Sequence, residues 1–168
     1  MKVSRRHPIS EKELEGVLRE VREVVGVDLG EVLSGGELVE LGYVKGSKVE
    51  RILIARGRVV AFEWKERWLP TLHPLLELGA GAFGHAVIVD MGAVKPIASG
   101  ADVMVPGIVE ARGEFERGDG VVVLDERNER PLAVGIARFD ASEIERRDRG
   151  RAVENVHHVG DELWEARF

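Results

Sequence analysis

The sequence predicts an α+β protein in two parts: a small α+β unit over residues 1–84, then a small closed or nearly closed β barrel over residues 85–168. Three observations carry this. One amphipathic helical pattern near the amino terminus is followed by strand-like runs, which makes the first part α+β. The glycine-rich stretch Gly79-Ala-Gly-Ala-Phe-Gly84 then separates it from the rest. Beyond that stretch, five short strand patterns with two short helical ones suit a small barrel.

The chain opens with an alternating run, Lys2 to Ile9, followed by Ser10-Glu-Lys-Glu13. This has the form of a capping box, with Ser10 as N-cap and Glu13 reaching back. Leu14, Val17, Leu18, Val21, Val24 and Val25 recur at three- and four-residue spacing, and Gly26 supplies the stop, so an amphipathic core helix is predicted. Residues 37–43 alternate, and Arg51 to Ala55 and Val59 to Trp64 read as strands joined by a tight turn at Arg56-Gly57-Arg58. Leu69 to Leu78 is predicted as one or two short helices, with a proline near each first turn. The glycines that follow match GxGxxG by letter, but their context is the reverse of a dinucleotide site. A helical pattern precedes them and the strand Ala86 to Asp90 follows, so they are read as a linker.

The second part holds the most informative stretch of the chain, the nineteen residues Asp90 to Ile108. Gly92 opens a turn, Ala93, Val94, Ile97 and Ala98 share one helical face, and Gly100 is placed to end the helix at positive φ. Val103, Val105 and Ile108 read as a buried strand interrupted by Pro106-Gly107, and a proline there marks an edge or a bulge. Residues 120–125 and 132–139 are apolar and β-branched strand patterns. Asp140 to Arg149 is a capped helix ending at Gly150, and a last strand runs into His157-His158.

Composition narrows the function. The 168 residues are 44% apolar and contain no cysteine, which excludes disulfides, thiol catalysis and cysteine-bound metal. No apolar run is long enough to span a membrane, and the amino terminus lacks the apolar centre of a signal peptide, so no membrane partner and a cytoplasmic location are expected. The net charge is −6, against a nucleic-acid partner at first sight, because backbone binding is driven by basic side chains that release counterions. Residues 1–80 balance 13 basic against 13 acidic residues, so the excess acid lies in the second part. There, Glu110, Glu114, Glu116, Asp119, Asp125, Glu126 and Glu129 crowd the middle, while Arg146, Arg147, Arg149 and Arg151 cluster near the end. Binding of RNA would need that local basic patch.

Catalytic constellations are not apparent. The five histidines, at 7, 73, 85, 157 and 158, include no pair at the helical i, i+4 spacing of a metal site. Ser4, Ser10, Ser34, Ser47, Ser99 and Ser142 fall in predicted caps and turns rather than in a nucleophile elbow. Neither an enzyme nor a cofactor is expected. Lys95 is the only basic residue between Arg67 and Arg112, next to the turn Ser99-Gly-Ala-Asp102, where backbone amides can approach a phosphate. Asp102 would repel a phosphate there, or could accept from a base amino group. Histidines 157 and 158 are strand neighbours and should face opposite ways, one into the core and one outward to stack on a base or bond a phosphate. Phe62, Trp64 and Trp68 are expected to pack, although an exposed Trp68 could stack a base. Arg5, Arg6 and His7 could extend a basic surface.

The run from Asp90 to Ile108 resembles the first helix and second strand of a PUA domain, the RNA-binding module named after pseudouridine synthases and archaeosine transglycosylases. Gly118 to Leu124, Pro131 to Arg138, Gly150 to His158 and Asp161 to Trp164 follow in that module's order. Leu69-Pro-Thr-Leu72, Glu154-Asn-Val-His157 and Leu163-Trp164 further resemble the malignant T-cell-amplified, translation-machinery-associated proteins and their archaeal relatives. The resemblance implies a PUA-like pseudobarrel in which RNA lies against the first helix, the glycine loop and the last strand. On this chain that corresponds to Lys95, Ser99, Gly100, Ala101, Met104, Pro106 and Gly107, with Arg151, Asn155 and His157 from the last strand. It also implies a non-catalytic role in translation initiation or recycling. The RNA would be the acceptor end of tRNA or ribosomal RNA, and the first part would grip the small ribosomal subunit or a translation factor. The segment carrying a pseudouridine synthase's nucleophilic aspartate is missing. The alternatives are an accessory subunit that delivers RNA to a modifying enzyme, and a protein-interaction module that has lost RNA.

Overall fold

A computed structural model describes residues 1–33 and 35–168, so the turn expected at Ser34 lies outside the described residues. The first part is a five-stranded antiparallel meander, β1 (Lys2–Pro8), β2 (Val39–Lys45), β3 (Val49–Ala55), β4 (Arg58–Trp64) and β5 (Arg67–Pro70), in that spatial order. The helix α1 (Glu11–Val25) begins where the Ser10 hydroxyl accepts the Glu13 N–H at 3.1 Å. The Glu13 carboxylate goes to Arg51, 3.8 Å away, instead of returning to the cap. Val17, Val21 and Val25 form the buried stripe, and Gly26 ends the helix at φ 72°. The predicted helix at Leu69 to Leu78 is corrected. Its first residues are β5, paired with β4, and α2 (Leu72–Glu77) starts only after Thr71, whose hydroxyl donates to the Val59 carbonyl at 2.6 Å. Proline at the end of an edge strand has no ladder bond to lose, so Pro70 reads as strand here as readily as it would open a helix.

The second part is a six-stranded sheet built from β6 (Ala86–Val89), β7 (Val103–Met104), β8 (Ile108–Arg112), β9 (Gly120–Asp125), β10 (Pro131–Ala137) and β11 (Arg151–His158). Three helices accompany it: α3 (Met91–Ala98), α4 (Ala141–Arg146) and α5 (Glu162–Glu165). The spatial order is β7-β11-β10-β9-β6-β8. The run from Val103 to Ile108 is therefore two strands at opposite edges, joined by a single 3-10 turn, Val105–Gly107. Because that turn ties one edge to the other, the sheet must curl, and closure into a pseudobarrel follows from Pro106-Gly107. Arg138 precedes the capping box of α4, in which the Asp140 N–H donates to Glu143 at 3.2 Å.

Alternation along β6 explains how the parts join. Val87 and Val89 point into the barrel with Val103, Phe115, Val121, Val123 and Val153. Ala86 and Ile88 point the other way, into a core shared with α1 and the first sheet, and Val122, Leu124, Val134 and Leu163 join them. The glycine run meets the end of α1 backbone to backbone, with the Gly84 N–H on the Gly26 carbonyl at 2.8 Å. A Cβ on Gly26 would stand 2.8 Å from the Gly84 Cα, so both glycines permit this approach.

Candidate nucleic-acid interface

Three segments converge at one end of the barrel: the carboxy-terminal turn of α3, β7, and β11. The Asp90 carboxylate caps α3 by accepting the Ala93 N–H at 3.0 Å. Ile97 is buried against the barrel, while Lys95 and Ser99, four residues apart, share the exposed side. Gly100 then takes φ 107°, and a Cβ there would lie 3.0 Å from His158 Nε2. Both its left-handed backbone and its contact with the ring call for glycine.

Asn155 holds this turn. Its side-chain amide donates to the Ile97 and Ala101 carbonyls, both at 3.0 Å, and its backbone N–H donates to Asp102 at 2.8 Å. The other carboxylate oxygen of Asp102 lies 3.2 Å from the Arg151 guanidinium. Asp102 is thus occupied on both oxygens, one by the last strand's backbone and one by a cation, which removes much of the repulsion expected of it. Arg151 remains 61% exposed and faces Met104 in the β7–β11 register. Met104 is itself 49% exposed, an apolar platform beside the guanidinium.

Of the predicted residues, Lys95, Ser99, Ala101, Met104, Pro106 and Arg151 are exposed, and Gly100, Gly107 and Asn155 partly so. His157 is corrected: it is fully buried and cannot touch a ligand. One step of β10, from Val134 to Gly135, spans two of β11, from His157 to Asn155. That bulge breaks the alternation, so Asn155 serves the α3 turn while His157 turns toward the first part. There, His157 Nε2 accepts the Leu72 N–H at 3.0 Å, at the start of α2, which places the ring proton on Nδ1, facing Asp161 at 2.9 Å. Burial holds the His157 imidazole below its ordinary value in spite of that carboxylate. Burial alone would raise Asp161, but bonds from His157 and from the Trp164 and His158 N–H groups hold it below the usual carboxylate range. The histidine beside the α3 turn is His158, whose Nδ1 lies 3.2 Å from the Ala98 carbonyl. The neighbouring pair signalled that one of the two would be there, but not which.

Several acids of the second part are engaged locally. Glu110 and Glu129 flank Arg112 on β8, and its guanidinium holds Glu129 below the usual carboxylate range. Asp125 accepts the Asn128 and Arg130 N–H groups in the β9–β10 turn, and Asp119 accepts the Glu116 N–H. Among the described residues, Lys95, Arg146 and Arg149 carry no ion pair, and Arg147 stacks on Phe139 at 3.9 Å. Trp68 and Phe62 are buried, which assigns them to packing rather than base stacking. No cluster of three or more potential metal ligands occurs among the described residues.

The model of the PUA domain matches residues 85–159. Over 164 residues, covering 98% of each chain, the protein is 33% identical to the uncharacterized protein MJ1432 of Methanocaldococcus jannaschii. It is 31% identical to translation machinery-associated protein 20 of Eremothecium gossypii, over 74% of this chain and 71% of that one. It is 32% identical to malignant T-cell-amplified sequence 1 of Danio rerio, over 67% of this chain and 64% of that one. The crystal structure of a PUA domain protein from Aeropyrum pernix superimposes with a TM-score of 0.80 at 32% identity, covering 98% of this chain and 90% of that one. The chain belongs to the family of PUA-domain proteins that includes translation machinery-associated protein 20 and the malignant T-cell-amplified sequences.

Proposed function

We propose that this protein is a non-catalytic RNA-binding factor of translation that holds a structured RNA, the acceptor end of a tRNA or a segment of rRNA, against the α3 turn, β7 and β11. The PUA module and the translation-associated relatives support RNA binding and a place in translation. The observation that carries the site is the bracket made by Asn155, Asp102 and Arg151. It fixes the glycine turn and pairs Asp102 with Arg151, leaving Lys95, Arg149 and the outer part of Arg151 for phosphates. The site positions an RNA end, and the first part of the chain meets the small ribosomal subunit or a partner factor.

Fluorescence anisotropy with labelled tRNA and a decoding-region rRNA fragment, over a salt series, tests this. Binding should weaken steeply with salt. Lys95→Ala should lower affinity and reduce the slope of log K against log salt by about 0.7–0.9. Binding that ignores salt, or a Lys95→Ala protein indistinguishable from the parent, overturns the assignment.

A further inference from the structure

Four of the chain's six lysines, from three separate stretches of sequence, collect at one end of the first sheet. Lys2 opens β1 and lies directly across from Lys45 at the end of β2. Lys48 sits in the β2–β3 turn with its Nζ 5.9 Å above the Trp64 ring, and Lys65 follows Trp64 in the β4–β5 turn. All four are exposed, and none is ion-paired among the described residues. The acids at this end are Glu20, whose carboxylate accepts the Trp68 N–H, Glu50, Glu66 and Glu162, against four lysines, Arg67 and the Met1 amine, so the end carries a cationic excess on a protein of net charge −6.

Two features run against stability here. Like charges directly opposite on neighbouring strands repel, and Lys2 and Lys45 do so. The β4–β5 turn places Lys65 and Glu66 at φ 47° and 65°, where glycine or asparagine is the unstrained choice. Solvation alone does not call for four unpaired lysines at one rim.

The position of this end is set by α5. The Glu162 carboxylate receives the Ser47 hydroxyl at 3.3 Å and lies 3.7 Å from the Met1 amine. The preceding residue, Asp161, accepts the His158 N–H at 3.0 Å, and His158 in turn touches the Ala98 carbonyl at the end of α3. The lysine rim and the α3 turn are thus both tied to the start of α5. We infer that the lysine rim is a second phosphate-contact surface, continuing the track of an RNA whose end is held at the α3 turn. The inference rests on the proposed RNA-binding role and adds to it the flanking phosphodiester backbone as the ligand of the first part. Ammonium groups without a bidentate fork suit phosphates as point charges, so the rim adds affinity without reading sequence.

The test uses the full-length protein, its Lys45→Ala/Lys48→Ala/Lys65→Ala variant and Lys95→Ala, with three probes: whole tRNA, a short single-stranded oligonucleotide of the tRNA 3′ end, and vesicles containing anionic lipid. The triple variant should bind whole tRNA more weakly, with a salt slope reduced by about 2 to 3, at about 0.7–0.9 per lost contact. It should bind the short oligonucleotide as the parent does, and its thermal midpoint should be unchanged or raised, since Lys45→Ala relieves the clash with Lys2. Lys95→Ala should weaken both RNAs. An unchanged tRNA slope in the triple variant, with Lys95→Ala still impaired, overturns the rim and leaves the α3 site standing. A parent protein that binds neither RNA overturns both. Vesicle binding abolished in the triple variant with tRNA binding intact assigns the rim to a lipid surface and overturns the inference.

Discussion

Asp102→Asn separates two accounts of an acid on the proposed RNA face. If Asp102 acts as a counterion that fixes Arg151 and the last strand, the amide keeps its acceptor for the Asn155 N–H and loses only its charge. The cost to folding is small, because Arg151 is 61% and Asp102 29% exposed, and ion pairs so placed are worth about 0–1 kcal/mol. The gain in binding is larger. Releasing one guanidinium for a phosphate adds about 0.7–0.9 to the salt slope, which at a tenth of molar salt amounts to about five- to eightfold in affinity, or about 1 kcal/mol. Anisotropy titrations of labelled tRNA at several salt concentrations, with thermal midpoints measured alongside, give both numbers. Asp102→Ala is the contrast: it also strips the acceptor from a partly buried N–H, which costs about 1–3 kcal/mol, so its turn should loosen. Asp102→Asn protein that keeps its midpoint yet binds RNA no better, or worse, refutes the counterion account and favours Asp102 as an acceptor for a base.

Two further outcomes follow from the join between the parts. The His157 imidazole is held below its ordinary value, so the unfolded chain takes up the proton first as pH falls below about 6.5. His157's contribution is therefore complete above that pH and is lost on acidification, with a limiting slope of about 1.4 kcal/mol per pH unit, and Asp161's, held low as well, is lost only in more acid solution. Urea midpoints from neutral to mildly acid pH should fall more steeply for the parent than for His157→Gln; parallel curves would refute the assignment of the dependence to His157. Gly26→Ala places a Cβ 2.8 Å from the Gly84 Cα at φ 72°, and should cost about 2–5 kcal/mol in denaturant titrations. Gly16→Ala, in the helix with open space around it, should gain about 0.5–1 kcal/mol, and equal effects at the two positions would contradict the close approach.

The order of strands and helices was legible from residue periodicity, caps and glycines, because each is decided within a turn or a few strand residues. The capped α1, the glycine after α3 and the cap of α4 at Asp140 stand where the pattern put them, although α4 stops at Arg146 instead of running to Arg149. The exposed lysine and arginine of the candidate site also lay within one short motif and one strand. Pairing across the chain decided the rest. Only the curled six-stranded sheet sends Val103 and Ile108 to opposite edges, and only the bulge in β11 turns His157 inward and leaves His158 at the turn. Asp102 reads as an obstacle in the sequence and becomes a bracket once Arg151 and Asn155 reach it. Lys2, Lys45, Lys48 and Lys65 are scattered along the chain, and register alone gathers them. Electrostatics depends on distance through space, while sequence pattern records distance along the chain, so the tertiary fold fixed where the charges meet.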